Sequence, residues 1–353
     1  MKIIQLLTHL NWGDAISNDV LAIDDTLRAA GYESEIMALK INERLKSRAK
    51  AVDFSSLRPE DILLFHKASG DELMRHVVRL PCRKGMIYHN ITPARFFLPY
   101  DAVMAWHLNR GRRQLRKYAA GMDFAWGDSG YNCRELRKAG AKNVSVRPVF
   151  FDSLRPDPDP TVLKGLRQEA GTKILFIGRI APNKKQEDLI KAYDIYRNRF
   201  DSQARLYLVG GWEGTEKYYA KLKGFAAELK LSDDQVIFTG RVTDGEKEAY
   251  LRGADVFLCL SEHEGFCVPL LEAMARDLPV VACARAAVPE TLGENGLLVS
   301  GKNEEHIAGL MHRVRTDPSF RSEVLSRQRK SLERFRREKT EQRLLQLIGE
   351  AGA

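Results

Sequence analysis

Short apolar runs alternate with amphipathic stretches along most of the chain, the pattern of repeated strand–helix–strand units with parallel sheets. In the first half KIIQLL, ESEIMAL, DILLFH, KGMIYH, FAWGD and NVSVR predict strands. Helical patterns separate them. One of these, NDVLAIDDTLRAAG, closes at Gly31, as a helix terminator should. Periodicity then stops in PVFFDSLRPDPDP, Pro148 to Pro160, where proline and aspartate predict a linker. Beyond it TKILFIG, ARLYLVG, QVIFTG, DVFLCL, LPVVAC and NGLLVS predict a second set of strands. From about Glu304 the pattern becomes helical and strongly charged, through to EQRLLQLIGEA. The expected fold class is α/β: two doubly wound, Rossmann-like domains, residues 1–150 and 151–335, with a helical tail over 336–353. In such sheets ligands bind outside the carboxyl ends of the strands, and two domains facing across a cleft would bring those ends together.

Composition supports this outline. A chain of 353 residues exceeds what one hydrophobic core usually serves. With 44% hydrophobic and 29% charged residues it is no disordered polymer. The net charge of +9 admits an anionic membrane surface, nucleic acid, phosphorylated small molecules, or simply a solvated basic face. Nucleic acid is excluded as a partner: there is no zinc spacing, no aromatic–basic run and no helix-turn-helix signature. The five cysteines show no C-x-x-C spacing, and Cys259 and Cys283 sit in apolar runs, which points to a reducing, cytoplasmic setting. MKIIQLLTHLNWGD reads as a first strand, not a leader, because no small-residue cleavage site follows it. No apolar run approaches the roughly 18 residues that span a bilayer.

Two segments carry candidate chemistry. In EHEGFCVPLLE, Glu264 and Glu272 bracket seven small or apolar residues between a strand and a helix. Gly265 permits close backbone approach, and Pro269 suits the first helical position. The amides of Gly265, Phe266 and Cys267 precede a helix N-terminus, which favours anions and hydroxyl-rich ligands. A carboxylate is also a good acceptor for a vicinal diol. The plainer alternative is a solvated Glu264 and a Glu272 that complements the helix dipole. In KILFIGRIAPNKKQEDLIKAY, Arg179 follows a strand directly and Lys184 lies in the next loop. Fixed cations at the mouth of a sheet suit a diphosphate.

Together with Val209–Gly211 and Thr239–Gly240, these blocks resemble glycosyltransferase family 4, retaining enzymes of the GT-B fold. The first half, through Gly13, YHNITP and DSGYNCRELRKAG, looks like the bacterial polysaccharide branch. The resemblance implies transfer of a hexose from a UDP- or GDP-linked donor to a glycan or lipid-linked glycan, with no cofactor and no metal. Arg179 and Lys184 would neutralise the diphosphate and Glu272 would hold the ribose. Glu264, with the amides of Gly265, Phe266 and Cys267, would bind the transferred sugar. Gly13 would let the first loop reach the phosphates, and His89 would project towards donor sugar and acceptor, with general base as an alternative role. His66 is a weaker candidate, and His263 has no matching role. Asp14 departs from the usual glycines and either caps a helix or reads the acceptor. Asp157-Pro158-Asp159 reads as turn chemistry, not a metal site. Residues 107–119 form a basic amphipathic pattern that could lean on anionic lipid at the inner face of the plasma membrane, and family members often return the last helix to the first domain. The rival readings are a GT-B sugar-nucleotide epimerase and a catalytically idle sugar-nucleotide binder.

Overall fold

The computed structural model describes residues 1–151, 156–293 and 296–352. Asp152 to Arg155 of the expected linker and Asn295 of the last expected strand lie outside the described residues. Tertiary contacts divide the chain into two units. Met1–Ala94, Val103–Asp152 and Phe335–Ala353 form the first; Arg95–Ala102 and Ser153–Arg334 form the second.

The first unit is built on a parallel sheet: β1 (Lys2–Leu10), β2 (Glu33–Ile41), β3 (Lys50–Ala51), β4 (Ile62–Lys67), β5 (Arg83–Tyr88), β6 (Phe124–Gly127) and β7 (Val144–Val146). The order across the sheet is β3-β2-β1-β4-β5-β6-β7. Every residue of β4 and of β6 is buried, which is why these strands read as continuous apolar runs and not as alternation. The two-residue edge strand β3 is exposed and has no apolar run to announce it. The helix Ala15–Ala29 starts at Asp14, whose carboxylate accepts from the Ser17 amide at 2.7 Å, so Asp14 is its cap. The last helix, Arg337–Gly352, buries Leu344, Leu347, Ile348 and Ala351 in one cluster with Ile3, Ile23, Leu27, Ile62 and Trp126.

The second unit carries β8 (Lys173–Ile177), β9 (Arg205–Val209), β10 (Val236–Gly240), β11 (Val256–Cys259), β12 (Val280–Cys283) and β13 (Leu297–Val299). They pair in the order β10-β9-β8-β11-β12-β13, again all parallel. Asp159 accepts from the amides of Thr161 and Val162, both at 2.9 Å, and caps the helix Pro160–Gln168, so it is occupied in starting that helix. The helix after β11 spans Val268–Met274. This corrects the expected start. Pro269 is the second helical residue, and Glu272 is the fifth, past the first turn, because Cys267 takes a left-handed conformation (φ 75°) and turns the chain one residue earlier. In both sheets the strand order reverses beside the first strand, between β1 and β4 and between β8 and β11. These are the switch points where open α/β sheets bind ligands.

Candidate functional site

At the switch point of the second unit, two loops are stitched together. One follows β8 and contains Pro182–Lys184 as a single tight turn; the other follows β11. Asn183 joins them: its carbonyl accepts from the Glu262 amide at 2.9 Å, and its side-chain Nδ2 donates to the His263 carbonyl at 3.0 Å. Lys302 adds a bridge, bonding Glu262 at 2.8 Å and also Asp188. On this frame Lys184 Nζ meets Glu264 Oε2 at 2.5 Å. Burial opposes the charged form of Lys184, but Glu264 outweighs it and holds the ammonium above its ordinary value. Lys184 is therefore a fixed cation and Glu264, with its side chain only 7% exposed, a fixed acceptor beside it.

The other residues singled out beyond the linker lie in the same unit. Arg179 is exposed and donates to the Glu213 carbonyl at 2.9 Å. Gly210 is indispensable to this edge: a Cβ on it would stand 2.1 Å from the Gly178 carbonyl oxygen, so only glycine lets the ends of β8 and β9 close up beneath Arg179. Glu272 is paired with Lys247 at 2.8 Å, from the helix after β10. Phe266 is buried, while Gly265 and Cys267 are half-buried. Ligand atoms of Cys259, Glu264 and Cys267 lie within 4.8 Å of one another, a grouping that could hold a soft metal only by displacing the Lys184 ammonium.

In the first unit Gly13 has φ +78° and open space where a side chain would stand. The His89 side chain is 3% exposed and both ring nitrogens are engaged, Nδ1 with Asp128 at 3.0 Å and Nε2 with His66 at 2.8 Å. His66 continues the line to Gln5 Oε1 at 3.1 Å, and Gln5 turns its Nε2 to the Val20 carbonyl at 2.9 Å. The line thus runs across four neighbouring strands or their ends, β1, β4, β5 and β6. Asp128 and Gln5 Oε1 are acceptors at its two ends, so three bonds need three ring hydrogens, one more than two neutral imidazoles hold. Burial, with His89 and Arg147 nearby, holds His66 well below its ordinary value. Arg147 lies 3.7 Å from Asp128 and pairs with Asp19 at 2.5 Å, so the Asp19–His66–His89 grouping, whose ligand atoms also lie within 4.8 Å of one another, has its carboxylate committed to a guanidinium.

The structure therefore gathers Arg179, Lys184, Glu264, Gly265, Phe266, Cys267 and Glu272 in one unit and leaves Gly13 and His89 in the other. Sequence reasoning missed Asn183, Lys302, Lys247, Gln5 and Asp128. Asn183 had one local signal, a short amide between Pro182 and the two lysines of APNKK. Gln5 is a lone amide inside KIIQLL, and a polar residue in a strand buried on both faces must have a partner.

Fold and site together define a protein of the GT-B class. Residues 164–335 match the model of the family described as glycosyl transferases group 1. Among curated proteins the chain is 31% identical over 212 residues to the GDP-mannose-dependent alpha-(1-6)-phosphatidylinositol monomannoside mannosyltransferase of Mycobacterium tuberculosis, a match covering 56% of this chain and 54% of that protein. It is 29% identical over 151 residues to the serotype-specific mannosyltransferase WbdA of Escherichia coli, covering 43% of this chain and 18% of WbdA. The chain thus spans about half, or less, of the length of these relatives. Among solved structures, HepE of Anabaena in complex with UDP and glucose superposes with a TM-score of 0.74 at 18% identity, over 99% of this chain and 100% of HepE. The sucrose-phosphate synthase of Thermosynechococcus elongatus gives 0.76 at 17% identity, over 99% of each chain. Glycosyltransferase family 4 is consistent with all of these matches.

Proposed function

We propose that this chain is a retaining, metal-independent hexosyltransferase of bacterial surface polysaccharide synthesis. It moves a hexose from a UDP- or GDP-linked donor to a glycan or lipid-linked glycan. The observation that carries this reading is the Lys184–Glu264 pair, 2.5 Å long, at the switch point of the second sheet. Breaking a sugar–phosphate bond leaves a nucleotide diphosphate, whose growing negative charge must be stabilised in place. Lys184 and Arg179 are the cations for it. When the diphosphate arrives, Lys184 passes from Glu264 to phosphate, and the freed carboxylate turns to the sugar and its developing positive charge. Glu272 exchanges Lys247 for the ribose hydroxyls in the same way. The acceptor adds on the face the phosphate leaves, and the departing phosphate takes its proton. His89 reaches a substrate hydroxyl only after its Nε2 gives up His66.

Two observations refine the proposal. The curated relatives above are named as mannosyltransferases, one of them GDP-mannose-dependent, which makes GDP-mannose the first donor to try. No helix among the described residues is long and apolar enough to cross a membrane. The helix Ala102–Tyr118 exposes Val103 and Trp106 together with Arg113, Arg116 and Lys117, a face suited to anionic lipid on the cytoplasmic side.

The test is thermal unfolding against UDP, GDP, ADP and their diphosphate-sugars, with and without EDTA. A ligand at 100 times its Kd stabilises by about 2.7 kcal/mol. A response to one nucleotide that survives EDTA is expected. A response abolished by EDTA overturns metal independence, and no response to any nucleotide overturns the donor site.

A further inference from the structure

Cys259 is the last residue of β11 and is buried; Cys267 stands eight positions on, half-buried, immediately before the helix Val268–Met274. The two residues bracket the loop that carries Glu264. Their sulfurs lie within 4.8 Å of each other and of the Glu264 carboxylate, and the Cys259 thiol donates to Ser261 Oγ at 3.5 Å. The neighbouring Cys267 holds Cys259 below the ordinary thiol range, while Cys259 and burial push Cys267 well above it. Of the two, Cys259 is the thiol held low, and thiolates are the reactive form. The backbone adds a separate indication. Cys267 holds φ 75°, a left-handed conformation that glycine adopts freely and that costs other residues strain. The chain keeps a sulfur where the backbone favours glycine.

We propose that Cys259 and Cys267 are a modification site: a vicinal dithiol that a small peroxide oxidises to a reversible disulfide, cinching the Glu264 loop. The Cys259 thiolate attacks one peroxide oxygen, the O–O bond breaks, and a sulfenic acid and hydroxide result. The Cys267 sulfur then attacks the Cys259 sulfur. The S–S bond forms, and the sulfenic hydroxyl leaves as water with the Cys267 proton. The two sulfurs together lose two electrons and the peroxide gains them. A thiol reductant reverses the bond by exchange, so in a reducing compartment the closed form is transient. Closure brings the sulfurs to about 2.0 Å and draws Cys267 towards β11, moving the amides of Gly265 to Cys267 and the carboxylate that holds Lys184. The consequence for ligand binding rests on the donor-site reading proposed above. The disulfide itself does not.

The experiment exposes the full chain to hydrogen peroxide, alkylates remaining thiols, and digests after glutamate without reductant. Cleavage at Glu262 and Glu264 separates the two cysteines, so their peptides stay together only through a disulfide. The expected result is a linked Cys259–Cys267 peptide pair that a reductant separates, and no such pair in Cys259→Ala. Irreversible oxidation of Cys267 alone, or a link to Cys82, Cys133 or Cys283, overturns the proposal. In parallel, GDP and UDP are titrated against reduced and oxidised protein by thermal shift. The apparent affinity is expected to weaken by about tenfold or more on oxidation and to recover with reductant. Equal affinity in linked and reduced protein overturns the closing of the donor loop. Reduced protein that responds to neither nucleotide overturns the donor site and the gating with it, while the dithiol stands or falls on the linked peptide.

Discussion

At the scale of single residues, the candidate site is defined by what each charge is bonded to. Glu264 and Glu272 are both engaged, by Lys184 and Lys247, yet in the proposed division only Glu264 faces the sugar. Glu264→Ala is therefore expected to reduce transfer by about 10²-fold or more, with nucleotide affinity changed far less. Glu272→Ala and Arg179→Ala are expected to weaken nucleotide binding directly. Isothermal titration beside a transfer assay checks this, and equal binding losses in all three variants would end the division of labour. His66 supplies a second expectation. Its folded pKa is depressed, so its contribution to stability is present in full above the unfolded imidazole value of about 6.5 and is lost as pH falls through the folded value. Denaturant unfolding from pH 7.5 to 5 should show the wild type losing stability more steeply than His66→Asn, by at most about 1.4 kcal/mol per pH unit. Parallel pH curves for the two proteins would show that His66 takes up its proton equally in both states.

At the scale of elements, the site depends on how closely strand ends approach. Gly210→Ala would place a Cβ 2.1 Å from the Gly178 carbonyl at a φ of +148°, so the ends of β8 and β9 must part. A loss of about 3 kcal/mol or more is expected, with weaker nucleotide binding because Arg179 rides on that edge; an unchanged Tm would contradict the close approach. The loops after β8 and β11 depend on Asn183. Asn183→Ala removes the bond to the His263 carbonyl but leaves the backbone bond from Glu262. The expected cost is about 1–3 kcal/mol, and the Lys184–Glu264 pair loses its fixed spacing, visible as a rise in donor KM. The strands themselves were legible from continuous apolar runs, because sheets covered on both faces need them. What was not legible was the start of Val268–Met274: proline favours the first helical position in general, but the turn at Cys267 set the helix one residue earlier.

At the scale of the molecule, the last helix is part of the first unit's core. Leu344, Leu347 and Ile348 are at most 1% exposed and pack with β1 and β4 residues from the other end of the sequence. Leu347→Ala is expected to cost about 2–5 kcal/mol. Because the two units have separate cores, calorimetry should show that loss as a lowered transition for the first unit, with the second unit's transition retained. A uniform shift of a single transition would mean that the units unfold together.

The sequence by itself determined the elements and the chemistry available to them. Hydrophobic runs and their breaks specify parallel strands and helices, since burying both faces of a sheet demands apolar residues whatever their neighbours. The Gly178-Arg179 turn and the bracketed loop from Glu262 to Glu272 announced cations and carboxylates at strand ends. Only the tertiary structure decided which of these meet. The pairing of Lys184 with Glu264, the stitching by Asn183, and the buried line from Gln5 through His66 and His89 to Asp128 all join residues brought together by strand order. Strand order is set by long-range packing, and no local pattern of side chains encodes it.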